Sequence, residues 1–124
     1  MKKKTIMTGL FGLMLFSHAL MAQRQLMDKP AEERAAFQTK RMTTSLKLDS
    51  AQALKVAGIN LRYAQRMDPL IQGNGTRMSK LKAVRTMQKE KEAELKQVLT
   101  REQFDQFKEQ QQAMRDEIKE RRKS

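Results

Sequence analysis

The sequence holds 124 residues, with 26 Lys and Arg against 14 Asp and Glu, a formal charge of +12 at pH 7 and no cysteine. A chain of this length allows one small domain, and without thiols a disulfide scaffold is excluded. The single histidine, His18, falls within the first 22 residues, so the rest lacks imidazole as well as thiol. Ser-His and Cys-His nucleophile pairs and His/Cys zinc sites are therefore excluded, and neither an enzyme nor a cofactor is expected.

In chain order, Lys2, Lys3 and Lys4 precede an uncharged run from Ile6 to Phe16 and then small residues at Ser17, Ala19 and Ala22. That order predicts a secretory signal peptide over residues 1–22, cleaved after Ala22, with Ala19 as the other candidate site. The apolar run is shorter than the roughly 20 residues a membrane span needs. Residues 23–29 read as a flexible lead, and residues 30–124 as one helical domain.

A first helix is expected from Pro30 to Leu46, with Ala35, Met42 and Leu46 on one stripe and Phe37 beside it. Leu48-Asp49-Ser50-Ala51-Gln52 then reads as a helix joint. Asp49 occupies the cap position, and Gln52 stands three residues on to close a capping box. The second helix is expected over Ser50 to Met67 with Leu54, Ala57, Leu61 and Ala64 as its apolar face, widened by Val56, Tyr63 and Met67. Gly58 reads there as a point of close helix contact or a bend. Asp68-Pro69 predicts a stop, and the stretch to Gly75 a loop.

Thr76 caps a third helix to about Val98, with Met78, Leu81, Val84, Leu95 and Val98 apolar. Its charged middle reads as a solvated face with pairs such as Glu92 and Lys96. Leu99-Thr100-Arg101-Glu102-Gln103 repeats the joint, 51 residues after the first. The last helix, from Arg101 to about Arg121, places Phe104, Phe107, Gln111, Met114 and Ile118 at spacings of three and four, a coiled-coil seam. No stretch alternates as a strand would. The fold class expected is all-α: four helices, two long ones in a hairpin, with a core so thin that pairing with a second copy is the natural completion.

The repeated joint resembles the L-T-x-x-Q motif of the Spy/CpxP family of periplasmic chaperones and stress-response proteins. Leu99, Thr100 and Gln103 match it fully, whereas Leu48, Asp49 and Gln52 carry Asp in place of Thr. The segment Ile59-Asn60-Leu61-Arg62-Tyr63-Ala64 is similar to Bacteroidetes-type members. The resemblance covers roughly residues 34–110. It implies an ATP-independent periplasmic chaperone, a homodimer of long curved helices arranged antiparallel, with a concave face that binds unfolding envelope proteins. It also permits an accessory regulator that binds the periplasmic domain of an envelope-stress sensor kinase, or a metal-responsive relative. The motif residues take a structural role.

Charge singles out the middle of the chain. Removing the signal takes away three lysines and no acid, leaving +9, of which residues 55–91 supply +7; between Asp68 and Glu90 there is no acid. Cations beside flexible thioethers suit a surface that accepts many partners. The client-binding candidates are Arg62, Arg66, Met67, Arg77, Met78, Lys80, Arg85 and Met87; the competing reading is a solvated basic helix face. Nucleic acid is not an expected partner of an exported chain lacking its binding motifs, whereas a weak contact with an anionic membrane surface stays open.

Overall fold

The computed structural model describes residues 28–124, so the predicted signal peptide and nearly all of the lead lie outside the described residues. Among the described residues there are four α-helices and no strand: α1 (Ala31–Leu46), α2 (Ser50–Gln72), α3 (Arg77–Val98) and α4 (Arg101–Lys123). The all-helical class and the number of helices are those the sequence predicts.

α1 opens after Pro30 without a side-chain cap, whereas the other three helices each start from a local cap. Asp49 accepts from the Gln52 backbone N–H and Thr100 from that of Gln103, and each glutamine side chain bonds back to the cap residue's own N–H. Thr76 accepts from Ser79 N–H at 3.1 Å. The run Thr43-Thr44-Ser45 stays helical; the Thr39 and Thr43 hydroxyls donate to carbonyls one turn back, at 2.8 and 2.7 Å. Lys47 ends α1 at φ 53°, ψ 53°, the left-handed conformation that closes a helix.

α2 differs from expectation at its end and in its buried face. It runs on to Gln72 with Pro69 inside it, although proline offers the Gln65 carbonyl no N–H. Tertiary contacts outweigh that loss. The Arg34 guanidinium of α1 ion-pairs with Asp68 and donates to the Ala64 carbonyl at 3.2 Å, and Leu70 packs on the core. The buried side is Val56, Ile59, Asn60 and Tyr63, while Leu54 is 77% exposed. Asn60 is polar but fully enclosed; its amide donates to Thr39 Oγ1 at 3.0 Å.

Gly58 makes no close helix contact, since a Cβ built there meets nothing within 4 Å. Gly58→Ala is therefore expected to raise the unfolding free energy by about 0.5–1 kcal/mol, read by urea denaturation as a higher midpoint at unchanged slope.

α2 and α3 pack antiparallel, as Arg62–Glu94 and Arg66–Glu90 pairs at 3.1 and 2.9 Å across them require. The core joins Leu46, Val56, Ile59, Tyr63, Met87, Leu95 and Leu99, with Met42, Met67, Phe104 and Phe107 packed against it. Met78 and Leu81, expected on the apolar stripe of α3, are exposed, at 76% and 44%. Glu92 pairs with Lys108 of α4 at 2.8 Å in place of the expected Lys96, whose ammonium lies over the Phe104 ring. No residue of α4 is buried.

The two joints lie against each other. Gln52 Nε2 donates to the Val98 carbonyl at 3.2 Å, Gln103 Nε2 to the Leu46 carbonyl at 3.1 Å, and the two side-chain amides bond reciprocally at 2.7 and 3.3 Å. With the bonds back to Asp49 N and Thr100 N, both amides use both hydrogens and accept twice. Each joint thereby satisfies a terminal carbonyl of the helix that ends at the other.

Candidate functional site

The eight candidate surface residues separate into three settings. Arg62 and Arg66, near the middle of α2, are exposed but engaged. They face Glu94 and Glu90 of α3, and their guanidinium carbons lie 5.9 and 5.0 Å from the centre of the Tyr63 ring. The Glu90 carboxylate holds the Arg66 pKa above its usual value. Burial and a hydrogen bond to Glu94 raise that of the Tyr63 hydroxyl. These two arginines brace α2 against α3.

Met87 and Met67 fall in the second setting. Met87 is buried in the core at 3% exposure, and Met67 is partly buried against it. This corrects the expectation that Met87 contributes to an open surface: its register on α3 turns the thioether toward Tyr63 and Leu95 of the shared core. The polar residues beside it in sequence conceal that register.

Arg77, Met78, Lys80 and Arg85 occupy the third, on the first turns of α3 next to the loop at 73–76. Arg77, Met78 and Arg85 are exposed. Lys80 reaches back to donate to the Ile71 carbonyl at 2.9 Å and so ties the end of α2 to α3. Met78, Leu81 and Arg85 fall at i, i+3 and i+7, one face of the helix, with Lys82 at its edge. Ile71, at the end of α2, is also exposed. Cations and large apolar side chains thus share one end of the molecule, within the acid-free stretch. The sequence identified the cations there but assigned Leu81 to the core and did not single out Ile71.

Among the described residues no group of three or more His, Cys, Asp or Glu is arranged to hold a metal ion, and no helix is long and apolar enough to cross a membrane. The molecule is an all-helical protein with a mixed cationic and apolar end. A family model described as a domain of unknown function, DUF4890, matches residues 19–107, and the chain belongs to that family. No curated protein and no solved structure matches it.

Proposed function

We propose that this protein is an ATP-independent periplasmic chaperone that holds unfolding envelope proteins on the mixed surface at the α2–α3 end and limits their aggregation. The observation that carries the reading is the exposure of Met78, Leu81 and Ile71 beside Arg77 and Arg85 in a stretch without a single acid. Long-range attraction speeds encounter with a client, and flexible apolar groups hold it once there. The signal-like first 22 residues support export. The joint residues Leu48, Asp49, Gln52, Leu99, Thr100 and Gln103 support likeness to Spy/CpxP proteins and act structurally. In this reading α2 and α3 are the two long helices of a hairpin. A second copy, antiparallel to the first, covers the α4 seam, where Ile118 is 40% exposed.

The test is light scattering from a chemically denatured model protein diluted into buffer without ATP. The wild-type chain is expected to suppress aggregation. The triple variant Arg77→Glu, Lys80→Glu, Arg85→Glu should capture client about tenfold or more slowly at low salt, with helix content unchanged. Equal protection by the variant would remove this surface from the mechanism. Binding to one saturable partner with no protection of arbitrary clients would replace the chaperone by an accessory regulator of a sensor kinase.

A further inference from the structure

A cavity of about 80 Å³ opens between α1, α2 and α3, lined by Arg34, Gln38, Tyr63, Met67, Met87 and Lys91 among others. That is several times what one water molecule requires. We propose that this cavity binds a carboxylate between the Arg34 guanidinium and the Lys91 ammonium, with its carbon chain against the methionine thioethers. The site is separate from the exposed surface at the α2–α3 end and does not depend on chaperone activity.

Two observations converge on an anion. Arg34 is buried at 7% exposure, and its Nε–H is enclosed without a hydrogen-bond partner while a terminal nitrogen serves Asp68 and the Ala64 carbonyl. An orphaned donor on a buried cation is a standing cost that an arriving oxygen removes. Lys91 of α3 donates to the Gln38 amide at 3.1 Å, and its pKa is lowered to about 8 by burial. An anion beside it stabilises the charged form and raises that pKa.

The charge balance selects the class of anion. Around the cavity α1 supplies Arg34, α2 supplies Asp68 and the neutral Tyr63, and α3 supplies Lys91. Glu90 and Glu94 are engaged by Arg66 and Arg62. With Asp68 held by Arg34, one positive charge is left uncompensated, which matches a carboxylate better than a phosphate bearing nearly two negative charges. The walls formed by Met67, Met87 and Ala64 suit an acid with a short apolar chain.

The carboxylate comes either from a small free acid or from the end of a peptide, and one experiment separates the two. The full chain, labelled at methionine methyls and lysine side chains, is titrated by NMR at fixed ionic strength. The probes are butyrate, chloride, and a short leucine-rich peptide with a free or an amidated C-terminus. Butyrate is expected to shift the Met67 and Met87 methyls saturably and to raise the Lys91 titration midpoint by about one pH unit or more. Lys91→Met, which keeps the fold by circular dichroism, should weaken that binding about tenfold or more. A free-acid peptide binding at least about tenfold tighter than its amide assigns the site to chain ends, and butyrate binding alone assigns it to small acids. Equal shifts with chloride, undiminished binding by the variant, or no saturable change with butyrate and peptide would overturn the site.

Discussion

Gln103→Leu is expected to lower the unfolding free energy by about 2–3 kcal/mol, a large share of the stability of a domain this size. The amide accepts from Thr100 N at 3.0 Å and from Gln52 Nε2 at 2.7 Å, and it donates to the Leu46 carbonyl at 3.1 Å and Gln52 Oε1 at 3.3 Å. Leucine fills a similar volume but supplies none of these. Water reaches the exposed Thr100 N–H, so its loss is the smallest. The Leu46 carbonyl and the Gln52 amide are partly buried and bear most of the cost. Gln52→Leu should behave alike, through the Val98 carbonyl and Asp49 N. Because the amide pair is lost once, whichever partner goes, the double variant should cost less than the two singles together, by about 1–2 kcal/mol. Thr100→Ala removes only a cap acceptor and should cost about 1 kcal/mol. Strict additivity in urea denaturation, with singles no worse than Thr100→Ala, would reduce the two glutamines to independent caps.

That pair also marks where sequence stops being informative. A capping box closes over three residues, so Asp49 with Gln52 and Thr100 with Gln103 were legible, and with them both joints. The bond between the glutamines spans 51 residues and has no local signal. The inward face of α2 was hidden for a different reason. Asn60 interrupts the line of Val56, Ile59, Tyr63 and Met67, whereas Leu54, which is exposed, lent a neighbouring line false weight. Pro69 carried a correct local penalty that Arg34, 35 residues earlier, overrides from another helix through Asp68. At the candidate surface, the excess of cations over residues 55–91 was plain. Which of them are engaged was not, because Glu90 and Glu94 reach Arg66 and Arg62 only across the α2–α3 interface.

Lys91 sets the second large effect, a stability that rises with pH where most proteins lose it. Burial lowers its pKa from 10.5 to about 8. Below pH 8 both states carry the proton, and the folded chain bears the whole cost of an ammonium withdrawn from water. Between about 8 and 10.5 the unfolded chain binds more protons than the folded one, so the unfolding free energy increases with pH. The full gain is about 3 kcal/mol, from 1.36 kcal/mol per unit of pKa. Tyr63 acts in the opposite sense. Its pKa is raised above 10.0, so the unfolded chain loses that proton first and stability falls once the pH passes 10. The net curve should climb from about pH 7.5 and turn over only a little above pH 10. Lys91→Met removes the desolvated charge, and the Gln38 amide it leaves lies at an exposed position where water replaces the bond. The variant should therefore be about 2–3 kcal/mol more stable than the wild type at pH 7 and flat between pH 7.5 and 9.5. Urea midpoints collected across that range for both chains decide the matter: parallel curves would mean that the Lys91 ammonium keeps its water in the folded state.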